Sequence, residues 1–124
     1  MMRITKESLA PIHFQSLRRE HRANSSGLVP QITFCLYLCN AVRKSIEIEE
    51  IAAQASTTYP ADFYTWVNGE PVPDLAVILL ILEEATSPAW GYAVGDWSRG
   101  WHLTKKGLRF AKDVARRRLS RGNA

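Results

Sequence analysis

Three histidines, two cysteines and twelve carboxylates are the side chains of this 124-residue sequence with the most familiar chemistry. Their spacing supports little of it. His13 and His21 lie in an N-terminal arm, and His102 alternates outward beside Trp101 and Leu103. No Ser/His/Asp or Cys/His spacing suggests an activated nucleophile. The paired acids Glu49-Glu50 and Glu83-Glu84 are adjacent, so on a helix each pair splits across faces and does not converge on one substrate atom. The scattered glycines suit turns, with no phosphate-cradling loop among them. Cys35 and Cys39 stand four apart. On a helix their Cβ atoms are ~5–6 Å apart, beyond the ~3.8 Å of a disulfide, so they read as reduced core residues. No spacing completes a zinc site with a histidine. The expectation is a chain that is not an enzyme and that needs no cofactor and no metal.

The cations are more informative. Residues 1–30 carry five Lys/Arg against two acids (+3), residues 31–98 two against nine (−7), and residues 99–124 nine against one (+8). Basic charge therefore sits at the two ends and the middle is acidic, a distribution that bears directly on nucleic-acid binding. Arg99, Lys105, Lys106 and Arg109 head the basic C-terminal stretch, followed by Lys112, Arg116, Arg117, Arg118 and Arg121. The last helix could turn these cations to phosphate or simply to solvent.

Length and an apolar content of 46% suit one folded domain with a real core. The stretch Met1 to Phe14 lacks the apolar block of a secretion signal. No apolar run reaches the ~18 residues of a membrane span, so no membrane partner is expected and a cytoplasmic location is.

The elements that must position these residues follow from periodicity and breakers. Residues 1–27 read as a basic N-terminal arm or helix, broken at Pro11 and ending in the linker Ala23 to Gly27. Residues 28–121 form the domain, and residues 122–124 a frayed tail. Ile32 to Lys44 predicts an apolar helix that packs Leu38 and Val42. Arg43 and Lys44 at its C-terminus suit the helix dipole or reach a phosphate. Glu49 to Ala55 predicts a helix with Ile48, Ile51, Ala52 and Ala55 on one face. Ser56, Thr57 and Thr58 predict a turn, Pro60 the first position of a helix Ala61 to Val67, and Asn68-Gly69 the end of that helix. Asp74 is placed to cap a helix Leu75 to Ala85, apolar on every face and so either central or covered by a partner. Trp90 to Asp96 and Trp101 to Leu103 predict a hairpin around Trp97 to Gly100. Thr104 caps a last helix to about Ser120, with Leu108, Ala111, Ala115 and Leu119 as its apolar stripe.

Glu49-Glu50-Ile51-Ala52, Trp66-Val67-Asn68-Gly69 and Pro73-Asp74-Leu75 together resemble the helix-turn-helix core of phage-repressor-type (XRE-like) regulators, over roughly a third of the chain. Here the turn is one residue too long and Ser56 stands where that family has Gly. Leu82-Glu83-Glu84-Ala85, a hairpin, then Leu103-Thr104 and Lys106-Gly107 opening a last helix are similar to winged-helix regulators of the MarR type, with about thirteen extra residues before Leu82. The resemblance implies a mainly α fold with a small β-hairpin: a winged helix-turn-helix of about five helices plus a wing, whose last helix helps dimerise.

It also implies that Ala61 to Val67 enters a major groove. Thr58, Tyr59, Asp62, Tyr64, Thr65 and Asn68 would then be exposed to DNA, with Asn68 able to pair with adenine. No Arg or Lys is there to read guanine, and Asp62 repels phosphate. Phe63 and Trp66 read as core. Arg99 at the wing tip could enter a minor groove, beside Lys105, Lys106 and Arg109, while Trp97 packs the hairpin. The expected function is a small DNA-binding protein, a phage-type or bacterial transcriptional regulator of double-stranded DNA, docking through its wing and basic ends. The alternative is a protein–protein interaction module on a winged-helix scaffold, using the acidic middle and the apolar helix 75–85 to meet a partner or form a homodimer.

Overall fold

The computed structural model describes residues 27–122, apart from the side chain of Arg121. The expected arm up to Ser26, with His13 and His21, and the last two residues lie outside this range. The described chain is mainly helical, with five helices and two antiparallel β-hairpins. In order these are α1 (27–38), α2 (Ile48–Thr58), α3 (Pro60–Phe63), β1 (Tyr64–Val67), β2 (Glu70–Pro73), α4 (Leu75–Thr86), β3 (Ala93–Asp96), β4 (Gly100–Leu103) and α5 (Lys105–Gly122).

α1 stops six residues short of Lys44. Asn40 takes φ 62°, the Asn40 N–H donates to the Tyr37 carbonyl and the Ala41 N–H to the Leu36 carbonyl. This pair of bonds is the Schellman stop, for which Asn is a tolerated left-handed residue. Leu38 and Val42, expected to pack, are exposed as a result, and Arg43 and Lys44 lie in the turn beyond the helix. The chain then pairs Ile46 with Trp101 of β4 through two main-chain bonds of 2.8 and 2.9 Å. That bridge ties the start of α2 to the second hairpin.

α2 buries Ile48, Ile51, Ala52 and Ala55, the expected face, and continues through the expected turn to Thr58. Its last turn is reinforced from within: the Thr57 hydroxyl donates to the Ala53 carbonyl and the Gln54 amide to the Thr58 hydroxyl. Pro60 ends the helix, because the residue before a proline is pushed out of the helical region. Tyr59 accordingly sits at φ −134° and ψ 66°.

Pro60 opens a helix as expected, but that helix is a single turn. The predicted recognition helix Ala61 to Val67 is not formed. Tyr64–Val67 is instead a strand paired with Glu70–Pro73 across Asn68-Gly69, at φ 52° and 80°. Asn-Gly with both residues at positive φ is the favoured two-residue hairpin turn, and Tyr, Thr, Trp and Val are strand formers. The register sets Trp66 opposite Pro71 and Tyr64 opposite Pro73. Counting from the turn, those are the non-hydrogen-bonded pairs, so the two prolines stand where a main-chain donor would face away from β1.

α4 is central. Asp74 accepts the Val77 N–H at 3.2 Å as its cap, and every residue from Ala76 to Leu82, with Ala85, is buried. Of the two expectations for this helix, the structure realises burial inside the chain. One core joins α1, α2 and α4 with Ile46, Phe63, Ala93, Trp101 and Leu103, and the half-buried Trp97 packs against it.

Candidate nucleic-acid interface

The second hairpin spans Ala93–Asp96 and Gly100–Leu103, where alternation predicts it. Its tip is built by one carboxylate: Asp96 Oδ1 accepts the Ser98 N–H, the Ser98 hydroxyl and the Arg99 N–H at 2.8–3.0 Å. The Ser98 hydroxyl, then the Arg99 N–H, hold the Asp96 carboxyl below its ordinary range. Gly100, at φ 88°, lies against the Ile46 carbonyl. This frame leaves the Arg99 side chain 85% exposed, with its Nε 3.9 Å from Asp96 Oδ2, a solvated pair worth little.

α5 begins at the base of this hairpin. Thr104 Oγ1 accepts the Gly107 N–H at 3.0 Å and donates to the Gly91 carbonyl at 2.6 Å, while the Thr104 N–H donates to the Tyr92 carbonyl at 3.0 Å. Gly107 is buried, and a Cβ there would run into the Tyr92 carbonyl oxygen. Threonine and glycine three residues apart therefore do two jobs, capping the helix and letting it press on the hairpin's lead-in. Lys106 lies over the Tyr92 ring at 5.5 Å, and Tyr92 stacks on Phe110 at 4.9 Å.

The helix then presents its charges in a row. Lys105, Arg109, Lys112 and Arg116 are all exposed and stand at intervals of four, three and four, the spacing of one helix face. The row is about 16 Å long at 1.5 Å per residue. Arg116 pairs with Asp113. Lys105, Arg109 and Lys112 have no carboxylate partner among the described residues. Lys112 and Arg116 belong to this row as much as the residues singled out from sequence, and the four–three spacing was the signal for it.

The other end of α5 is pinned. Arg118 lies over the Phe34 ring at 5.0 Å and the Tyr59 ring at 5.5 Å and donates to the Tyr59 hydroxyl at 3.0 Å. Burial raises the Tyr59 hydroxyl above its ordinary pKa against the lowering effect of that guanidinium. Arg118, though exposed, thus makes the contact with the body expected of Leu119, which is 68% exposed.

The residues expected to read bases are not gathered on one helix. Thr58 ends α2 and accepts from Gln54; Tyr59 is half-buried under Arg118. Tyr64 and Thr65 lie on β1, and Asn68 forms the hairpin turn. Phe63 is core, but Trp66 is 70% exposed, because strand alternation aims it away from the body. Arg99, Lys105, Lys106 and Arg109, in contrast, share the second hairpin and the first turns of α5.

Cys35 and Cys39 are free thiols. Burial pushes Cys35 up to about 12 and Cys39 up to about 11 from an ordinary 9.0. No cluster of three or more metal-ligating side chains occurs among the described residues, and no helix there is long and apolar enough to cross a membrane. In comparisons with known protein families, curated proteins and solved structures, none matches this chain.

Proposed function

We propose that this chain is a small winged helix-turn-helix DNA-binding protein, a phage-type or bacterial regulator working in the cytoplasm. It docks on the phosphate backbone of double-stranded DNA through Arg99 and the cationic face of α5. The observation that carries this reading is the row Lys105, Arg109 and Lys112, exposed and without carboxylate partners among the described residues, next to a hairpin with an arginine at its tip. Unpaired cations in a row gain most from a polyanion, since each neutralised phosphate releases a counterion. The order α1, the Ile46 bridge, α2, then α4 and a hairpin, with α3 and the β1–β2 hairpin inserted between α2 and α4, supports the winged scaffold. In that order α4 holds the place of a recognition helix, and it is buried, so base readout is weak and affinity comes from the backbone.

The test is anisotropy of a labelled duplex at several salt concentrations. Replacing Lys105, Arg109 and Lys112 together by Ala should weaken binding and flatten the log–log salt slope by about 2.7, at 0.9 per lost phosphate contact. Unchanged affinity would sink the reading. A second reading, a protein-interaction module, is favoured by one observation: Tyr64 and Trp66 are both exposed on one face of the first hairpin. Absence of DNA binding at low salt would select it.

A further inference from the structure

The first hairpin is a two-stranded sheet. β2 is the strand that lies against α2, so β1 is the outer one. Phe63, just before β1, is buried and Thr65 is half-buried, while Tyr64 and Trp66 are exposed, as alternation requires of a strand with one face on the body. The main-chain groups of β1 that point away from β2 are those of Tyr64 and Trp66, which sit in the non-hydrogen-bonded pairs. The Tyr64 N–H is in use, closing α3 on the Pro60 carbonyl. The Tyr64 carbonyl and both main-chain groups of Trp66 have no main-chain partner among the described residues. Folded chains guard such an edge with proline, with charge or with a cover. β2 has the guard, since Pro71 and Pro73 hold both of its outward positions. β1 has none: Tyr-Thr-Trp-Val carries no charge and no proline.

We infer that this open edge is an interface and that a second copy of the chain occupies it, the two β1 strands running antiparallel about a two-fold axis at Thr65. The Trp66 N–H of each copy donates to the Tyr64 carbonyl of the other, and the two hairpins become one four-stranded sheet. The side chains select a copy over an unrelated strand. Tyr64 stands across from Trp66 twice and Thr65 across from itself, aromatic and threonine pairs that stabilise antiparallel neighbours. The residue on the axis meets its own copy, and threonine does so without the repulsion a charge would bring. Pairing of β1 with the β2 edge of another copy is blocked by the prolines, so first hairpins can meet only β1 to β1, the isologous form that ends at two chains. A two-stranded hairpin is marginal by itself, and each copy supplies the strands the other lacks. None of Arg99, Lys105, Arg109 or Lys112 takes part, so the inference does not rest on DNA binding.

Sedimentation equilibrium of the full chain without DNA tests it, with a dimer and no larger species expected. Trp66→Pro removes the outward N–H and no bond to β2, whereas Trp66→Ala removes only the ring. The dimer Kd should rise in Trp66→Ala and at least about tenfold further in Trp66→Pro. Cross-linking reads the same pairing with the backbone untouched, and so decides the matter even where proline loosens the hairpin. Opposite residues of a non-hydrogen-bonded pair have Cα atoms about 4.5 Å apart, within the span of a disulfide. Thr65→Cys in a Cys39→Ser chain should therefore oxidise to a covalent dimer, while Val67→Cys in the same chain, opposite Phe63 of the other copy, should not. A wild-type chain that sediments as a monomer overturns the inference. So does a dimer on which Trp66→Pro and Trp66→Ala act alike, or one that cross-links through position 67 and not through position 65.

Discussion

Single residues with unusual backbone demands account for much of how this chain is shaped. Gly107 occupies a helix position where glycine costs about 1 kcal/mol relative to alanine, yet a Cβ there meets the Tyr92 carbonyl. Gly107→Ala should therefore destabilise the domain in spite of its better helix propensity, by about 1–3 kcal/mol for overpacking. A lower urea midpoint at unchanged m-value is the expected observation. Leu103-Thr104 and Lys106-Gly107 were legible as a motif before any coordinates, and so were the Asp74 and Thr104 caps. Asn40 was equally visible in the sequence, but a polar residue inside a long apolar run reads as a tolerated interruption unless its positive φ is known. Trp66 was misplaced for the opposite reason. Aromatic residues at helical spacing are usually core, and that expectation fails once the backbone there is a strand.

At the scale of elements, Asn68-Gly69 shows where local signals are ambiguous. The pair suits a helix stop and a hairpin turn alike, since both need positive φ. Pro60 as a helix start favours the first; the strand-forming Tyr-Thr-Trp-Val before the pair and two prolines after it favour the second. The later hairpin was recoverable because Trp101, His102 and Leu103 alternate cleanly and no helical period competes. α5 is an element whose two ends are held differently: its start is locked by Thr104 and Gly107, and its far end by the single Arg118 clamp on Phe34 and Tyr59. Arg118→Ala should cost about 1–2 kcal/mol, from one charge-assisted hydrogen bond and exposed cation–π contacts. Hydrogen exchange should then quicken in the last turns of α5 while its first turns stay protected. Equal exchange along the helix would show that the clamp carries no stability.

The chain is electrically polar, acidic over residues 31–98 and basic over residues 99–124, and the sequence displays this polarity without any structure. The core composition was also legible, with α4 identified as apolar on every face. What periodicity could not tell was whether the chain itself or a partner covers that face, because this depends on how α1 and α2 close over it. The same core sets the alkaline limit of stability. Cys35, Cys39 and Tyr59 all have folded pKa values raised by burial. The unfolded chain releases the thiol protons near 9, while the folded chain keeps them toward 11 and 12. The thiol contribution is therefore complete below pH 9 and is lost as pH rises through that interval. Urea unfolding at pH 8 and pH 10.5 should show a fall in stability, and the fall should shrink in a Cys35→Ala chain compared with its own value at pH 8.

Pro71 and Pro73 face the side of the first hairpin that β1 does not use. A bare strand edge is a template on which further strands can stack without limit, and a Tyr-Thr-Trp-Val segment without charge is the kind of sequence that does so. With two imino acids in alternate positions, β2 offers no outward donors along its length. Growth of a fibril through that edge is closed by covalent structure, at any concentration and in any salt.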